Sequence, residues 1–102
     1  MHLIEFHSGA RRDFDESLDW YAAKSVVAAV RFVASVEAAL AIVAESPLRF
    51  GTSDSACREC PLKRFPFRIV YRVVDDRVLI MAIAHTRRRP SFWRDRMSPS
   101  PQ

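Results

Sequence analysis

The chain has 102 residues, of which 49% are hydrophobic and 27% charged, with a formal net charge of +4. This composition is typical of globular proteins and excludes a disordered chain, and the length allows one domain with a modest core. No uninterrupted apolar run reaches the roughly 18 residues of a membrane span, and the N-terminus lacks a signal-peptide pattern. We expect one cytoplasmic domain over residues 1–97 and a disordered tail at 98–102.

The charge is unevenly distributed along the chain. From Cys57 onward there are 11 Lys or Arg against 4 Asp or Glu, whereas the first 56 residues have 5 against 8. The two parts therefore carry +7 and −3, which sum to +4. This asymmetry favours a nucleic-acid or acidic protein partner, although a solvated basic face that aids solubility is the plainer interpretation.

The N-terminal half predicts a short strand over 2–6 and two helices. Ser8 is the expected N-cap of a first helix that ends near Lys24, and Ser25 that of a second helix that ends near Glu45. The connection between them is very short, so we expect an antiparallel helical hairpin. Apolar residues at helical spacing define its inner faces: Ala10, Phe14, Leu18 and Tyr21, then Ala29, Phe32, Val33, Val36, Leu40 and Val43.

The C-terminal half predicts three strands. The strand over 58–65 contains Pro61 and is therefore assigned to a sheet edge. A strand over 67–74 and a second over 78–84 flank Asp75-Asp76, which fits a tight hairpin turn. The last strand is almost wholly apolar and is predicted to be central. The fold class is α+β: an N-terminal strand and a helical hairpin packed on an antiparallel sheet, in the order β-α-α-β-β-β.

Cys57 and Cys60 have the spacing of a metal or redox motif. A structural zinc site needs about four ligands, and no second pair of cysteines exists. A redox pair of the thioredoxin type needs a helix N-terminus after a strand, whereas this pair precedes Pro61 in strand-like sequence. We expect a reduced pair with neither function, and no metal or other cofactor.

Several segments in a fixed order resemble the RelE/ParE superfamily of bacterial toxins. They are Phe6 to Asp13, Trp20-Tyr21, Arg31-Phe32, Val36 to Leu40, Ser46 to Phe50, Phe67 to Val73 and Ala84 to Arg88. The resemblance covers the chain from Leu3 to Arg96 and implies the toxic half of a type II toxin–antitoxin module, with roles in growth inhibition and plasmid stabilization. It further implies an acidic antitoxin partner, usually encoded beside the toxin.

The superfamily has two activities, and the resemblance leaves both open. RelE-like members cut messenger RNA on the ribosome without a metal, using Lys, Arg and often Tyr. Such cleavage needs a base, cations for the phosphate and a proton for the leaving oxygen. Arg68, Arg87 and Lys63 fall where these members place cations. Phe92 and Trp93 stand where the tyrosine would be, so proton transfer would pass to another group such as His85.

ParE-like members instead bind DNA gyrase and stall it with cleaved DNA, which needs a binding surface and no acid–base pair. We favour this ParE-like activity, with the ribonuclease as the alternative and an inactive toxin that only binds its antitoxin as a third hypothesis. The candidate binding residues are basic or aromatic and lie in the C-terminal half of the chain: Arg64, Arg72, Arg88, Arg89, Phe92, Trp93, Arg94 and Arg96.

Each candidate also has a structural interpretation. Arg68 and Arg72 can pair with acids such as Glu59 or Asp75 across the sheet. His85 can be a satisfied, hydrogen-bonded histidine. The aromatic pair Phe92-Trp93 can pack the tail onto the sheet and thereby position the arginines.

Overall fold

The structure is a computed structural model that describes residues 2–52, 57–88, 93 and 96. Its elements follow the predicted order: β1 (Leu3–Phe6), α1 (Ser8–Lys24), α2 (Val26–Glu45), β2 (Arg58–Pro61), β3 (Phe67–Val74) and β4 (Arg77–His85). The predicted α+β class is confirmed. The predicted domain end at residue 97 and the tail that follows it lie outside the described residues.

The two helices form the predicted hairpin, with Ser25 as its turn. The Ser25 N–H donates to Tyr21 O at 2.8 Å and so ends α1, while its Oγ accepts from the Ala28 N–H at 3.2 Å and begins α2. The expected cap of α1 is wrong by one residue. His7 is the N-cap, its Nδ1 accepting from the Gly9 N–H at 2.9 Å, because an imidazole nitrogen can satisfy a first-turn donor as a hydroxyl does.

The sheet has the strand order β1-β4-β3-β2 and is mixed. β2, β3 and β4 form the predicted antiparallel meander, with Asp75 at φ 56° in the turn between β3 and β4. The expectation of a wholly antiparallel sheet is corrected by β1, which pairs parallel with β4. No hairpin joins these two strands, and the chain between them supplies the long crossover that a parallel pair needs.

β2 is shorter than predicted, since it ends at Pro61 rather than Phe65. The predicted edge position is confirmed, because β2 is the last strand in the sheet order. Proline cannot donate to a ladder. After it the chain bends through a loop in which Arg64 has φ 70°.

The sheet is buried on both faces. The helix side holds the larger core, which includes Phe32, Val36, Ile69, Tyr71 and Ile80. The far side holds a second cluster formed by Cys57, Val70, Met81, Ala82, Ala84 and Trp93. A strand buried on both faces reads as an apolar run, which explains the sequence of β4 and its predicted central position.

A β-bulge in β4 changes which of its side chains share a face of the sheet. Val70 pairs with Ala82 and Tyr71 pairs with Ile80, so Met81 is an extra residue opposite β3. A bulge of this kind bends the strand and places two successive side chains on one face. Met81 and Ala82 accordingly both belong to the far-side cluster.

α2 is long and apolar enough to cross a membrane by length and composition alone. Its apolar sequence is interrupted by Arg31 and Glu37, so it is not an uninterrupted apolar run. In this fold α2 packs Phe32, Val36 and Val43 against the sheet.

Candidate functional site

Two segments carrying exposed cations meet at one end of the sheet. The Thr86 N–H donates to Pro66 O at 2.8 Å, and Phe67 lies opposite His85 in the β3–β4 ladder. These contacts bring the β2–β3 loop next to the turn after β4. We call the four exposed basic side chains of these two segments the cationic edge; they are Lys63, Arg64, Arg87 and Arg88.

Hydrogen bonds hold the backbone of the β2–β3 loop, which carries Lys63 and Arg64, against α2 and β3. Ser35 Oγ on α2 donates to Lys63 O at 2.8 Å, and the Leu62 N–H donates to Phe67 O at 2.9 Å. Arg64 sits in the left-handed region at φ 70°, which costs an ordinary residue about 1–2 kcal/mol. The anchored loop holds Arg64 in this conformation.

Arg68 extends over the far side of the sheet and contacts the backbone of the cationic edge there. Its Nε is 3.0 Å from Glu59 Oε1, although the N–H is not aligned with that oxygen, and its Nη2 donates to Arg88 O at 3.2 Å. Its Cζ lies 5.1 Å from the centre of the Trp93 ring. The side chain is 15% exposed and fastens neighbouring segments to one another. The structural interpretation of Arg68, pairing with Glu59, therefore matches its geometry.

Two residues of the C-terminal candidate set are buried or paired within the protein. Trp93 is 0% exposed in the far-side cluster, so a base cannot stack on it in this conformation. Arg96 forms an ion pair with Asp13, with 2.8 Å between Nη1 and Oδ2, and donates from Nη1 to Met81 O at 2.9 Å. Both residues attach the C-terminal segment to the domain and do not present a ligand surface.

The remaining candidates fall in different places. Arg72 is half-buried on β3, opposite Leu79, toward the end of the strand away from Phe67 and the cationic edge. Arg89, Phe92 and Arg94 lie outside the described residues. The predicted arginine cluster thus divides into an exposed group at the sheet end and a less exposed group that includes Arg68 and Arg96.

His85 lies between the cationic edge and a cleft beside α1. Its Nδ1 accepts from the Arg87 N–H at 3.1 Å, and its ring meets Phe67 edge to face. A neutral imidazole that accepts at Nδ1 carries its proton on Nε2. In the neutral ring Nε2 is then a hydrogen-bond donor.

The sequence interpretation missed the side chains on the other wall of this cleft, which has a volume of about 370 Å³. Glu16, Ser17, Trp20 and Tyr21 come from α1 and face Pro66, Phe67 and His85. Burial raises the pKa of the Tyr21 phenol, so it is protonated at neutral pH. The signal that could have found this wall was Trp20, a large aromatic residue that the helical stripe leaves outside the core and that is 58% exposed.

Cys57 and Cys60 are buried thiols that form no disulfide with each other, and they lie in different cores. Burial raises the pKa of the Cys60 thiol, with a smaller opposing effect from Arg49. A protonated thiol is a poor nucleophile and a poor metal ligand. Cys60 therefore behaves as a small apolar core residue.

The arrangement is suited to binding an anionic partner. Four exposed cations at one end of the sheet create a positive potential that attracts phosphates or carboxylates. Nδ1 of His85 is occupied by the Arg87 N–H, and Arg68 is paired with Glu59.

Comparisons with known proteins agree with this fold. A family model described as the ParE toxin of the type II toxin-antitoxin system, parDE, matches residues 4–90. A solved structure titled "Chromosomal ParDE TA system from P. aeruginosa" superposes with a TM-score of 0.68 and 20% sequence identity, covering 83% of this chain and 96% of that one. At that identity the likeness concerns the fold. No curated protein matches the sequence.

Proposed function

Because the chain belongs to the ParE toxin family of type II toxin–antitoxin systems, we propose that it arrests growth by binding DNA gyrase and stalling it on cleaved DNA. Membership of the family implies an antitoxin as partner. The proposed target places the protein's action in the cytoplasm. The cationic edge is the surface that would contact the gyrase–DNA complex.

The observation that supports this proposal is that the exposed cations lie together at one sheet end, whereas Arg68 is engaged within the protein. Lys63, Arg64, Arg87 and Arg88 are exposed at the sheet end. Arg68, which the resemblance assigned to catalysis, is tied to Glu59 and lies over Trp93. A binding poison needs only the first group, whereas RNA cleavage needs both cations and a base.

The experiment compares the two targets directly. Purified toxin is added to a gyrase supercoiling and DNA-cleavage assay, and separately to ribosomes programmed with messenger RNA. We expect trapped gyrase–DNA cleavage complexes and intact messenger RNA. Cleavage of the message in the ribosome with no effect on gyrase would overturn the proposal.

A matched pair of variants links the result to the surface. Arg87→Ala combined with Arg88→Ala removes two guanidinium groups from the cationic edge, whereas Arg12→Ala removes an exposed cation from α1. We expect the double variant to lose gyrase poisoning and the α1 variant to retain it. Silence of the wild-type protein in both assays, together with retained antitoxin binding, would instead indicate an inactive toxin.

A further inference from the structure

The cleft beside α1 has an aromatic wall that the fold leaves partly open. Four of its lining residues have ring side chains: Trp20, Tyr21, Phe67 and His85. Phe67 is buried, whereas Trp20 is 58% exposed. The Trp20 and Tyr21 rings meet edge to face, with 89° between their planes and 5.0 Å between their centres. An exposed aromatic side chain in a concave site is suited to stacking with a flat, unsaturated ring.

The polar groups of the cleft include a carboxylate on the same face of α1 as Trp20. Glu16 and Trp20 are four positions apart, so their side chains are neighbours on the helix surface. Glu16 is exposed, and it forms no ion pair with any residue that the structure describes. An ionised carboxylate has two oxygens that accept hydrogen bonds and has no donor. The cleft therefore favours a flat ligand that carries hydrogen-bond donors on its edge.

His85 and Arg88 add donors and a positive charge to the same cleft. Nδ1 of His85 accepts from the Arg87 N–H, so Nε2 of the neutral ring is the donor. A smaller cavity of about 140 Å³ shares four lining residues with the cleft and adds Arg88. An organic cation would satisfy Glu16 but would meet the guanidinium of Arg88. A ligand that joins a neutral aromatic ring to an anionic group suits both charges.

Among the nucleic-acid bases, guanine has the edge that matches a carboxylate. Its N1–H and N2 amino group are adjacent donors and lie beside the acceptor O6. Two parallel hydrogen bonds can therefore reach both oxygens of one carboxylate, as the paired donors of an arginine do. Adenine and cytosine place a ring-nitrogen acceptor next to their amino group, and thymine has one donor between two carbonyls. Each of these three bases would set a lone pair against one carboxylate oxygen.

We propose that this cleft binds a guanine nucleotide, with the base stacked on Trp20, its N1–H and N2–H donating to Glu16, and its phosphate directed towards Arg87 and Arg88. The cleft volume of about 370 Å³ lies within the range of small-ligand sites. The ligand is either a free nucleotide or an unpaired guanine in a nucleic-acid strand, because both present the same edge. The proposal concerns the ligand of the cleft and does not rest on the gyrase function proposed above.

The test titrates the purified full-length protein with guanosine 5′-monophosphate and with inosine 5′-monophosphate, which lacks only the N2 amino group. Calorimetry gives the Kd, and tryptophan fluorescence reports stacking on Trp20, because Trp93, the other tryptophan, is 0% exposed. We expect saturable binding of the guanine nucleotide. The Kd of the inosine nucleotide should be about tenfold higher or more, because one charge-assisted hydrogen bond is lost.

Three variants connect this binding to the cleft. Glu16→Gln replaces one acceptor oxygen with a donor, and Trp20→Ala removes the stacking surface. Asp15→Asn is the matched control, since Asp15 is an exposed acid of α1 that does not line the cleft. We expect the Kd for the guanine nucleotide to rise about tenfold or more in the first two variants and to stay unchanged in the control.

A second measurement separates recognition of the base from a general effect on folding. The Glu16→Gln protein should also lose the preference for the guanine over the inosine nucleotide, which a purely structural role of Glu16 would leave intact. Thermal melting verifies that each variant folds. Should Trp20→Ala fail to melt cooperatively, Trp20→Phe, which keeps a smaller stacking face, should give an intermediate Kd.

Two labelled hexanucleotides distinguish the sources of the base. One is all thymidine, and the other carries a single central guanine. Tighter binding of the guanine strand than of the free nucleotide, lost in Glu16→Gln, assigns the cleft to an unpaired base in a strand. Equal binding of the two strands, with saturable binding of the free nucleotide, assigns it to the free form.

Two outcomes overturn the proposal. One is the absence of saturable guanine-nucleotide binding up to about 1 mM together with equal affinity for the two strands. The other is an equal Kd for the guanine and inosine nucleotides in the wild-type protein. No gyrase is present in these titrations, so their failure and a negative gyrase assay are independent results.

Discussion

Arg96 is clamped to Asp13 across 83 positions of sequence, with 2.8 Å between Nη1 and Oδ2 and 3.2 Å between Nη2 and Oδ1. The same Oδ2 accepts from the Ile83 N–H at 3.1 Å, and Arg96 Nη1 also donates to Met81 O. The two side chains are 17% and 13% exposed. One ion pair thus joins α1, β4 and the C-terminal segment beside the extra residue of β4.

Removing Asp13 should destabilise the protein strongly. Asp13→Ala leaves Arg96 partly buried without its carboxylate and leaves the Ile83 N–H without an acceptor. We expect a loss of about 3 kcal/mol in the free energy of unfolding, measured by urea denaturation. Asp15→Ala, on the exposed side of α1, is the control and should change it by less than about 0.5 kcal/mol. Equal effects of the two substitutions would contradict the clamp.

Gly9 provides a second test of the clamp, because the effect of Gly9→Ala on stability should change sign when the Arg96 side chain is removed. A methyl group at Gly9 would overlap the Arg96 guanidinium, which Asp13 holds in place. In an ordinary helix Gly→Ala stabilises by roughly 0.5–1 kcal/mol. We expect Gly9→Ala to destabilise the wild-type protein and to stabilise an Arg96→Ala protein. Urea midpoints of the four proteins measure this cycle, and the same sign in both backgrounds would refute the close approach.

The stability of the protein should fall in mild acid because of His7. Burial lowers the pKa of His7 below 6.5, Arg96 lowers it further and Asp13 opposes the shift. Below pH 6.5 the unfolded chain takes up the proton before the folded protein does, so stability declines as the pH falls and levels off below the folded pKa. His7→Asn keeps an N-cap acceptor without this titration.

The measurement is the free energy of unfolding of wild type and His7→Asn between pH 7.5 and about pH 5. We expect the wild type to lose more stability across this range than the variant. His2→Asn controls for the loss of an unrelated imidazole and should follow the wild type. Parallel curves for wild type and His7→Asn would contradict the assignment.

The cationic edge should be separable from folding. Arg87→Ala combined with Arg88→Ala should relieve growth arrest, while each substitution changes stability by no more than about 0.5 kcal/mol. The backbone groups of both residues keep their bonds to His85 and Arg68. Growth after induced expression in cells measures the relief of growth arrest, and thermal melting of the purified protein measures its stability. Continued arrest by the folded double variant would show that the edge is not the active surface.

Arg68 should act on stability rather than as a catalyst. Arg68→Met removes the ion pair with Glu59 and the contact with Trp93, and we expect a loss of roughly 1–2 kcal/mol in unfolding free energy. A double-mutant cycle with Glu59→Gln should show coupling between the two sites. If Arg68→Met abolished messenger RNA cleavage on ribosomes without lowering stability, Arg68 would instead be catalytic.

Much of the fold was predictable because its signals are local. The helical stripe on α2, the alternation on β3 and the edge position of Pro61 each depend on residues within one element. Those periodicities fix which side chains face a core. The parallel pairing of β1 with β4 was not predictable in this way, because no turn joins the two strands.

The same distinction between local signals and long-range contacts applies to the candidate site. Arg87 and Arg88 follow a strand whose end could be predicted from the sequence, whereas Lys63 and Arg64 were predicted inside the second strand and lie in the loop after Pro61 instead. The partners of Arg68 and Arg96 were less accessible to sequence reasoning, since an arginine looks the same whether it meets solvent or a carboxylate 83 positions away.

The sequence by itself determined the layers, the order of elements and the basic character of the C-terminal half, because hydrophobic periodicity and net charge are properties of neighbouring residues. Only the tertiary structure decided which cations are exposed at the sheet end and which, like Arg68 and Arg96, are partly buried against carboxylates. That outcome depends on distances between segments remote in sequence, which no pattern of neighbouring residues encodes.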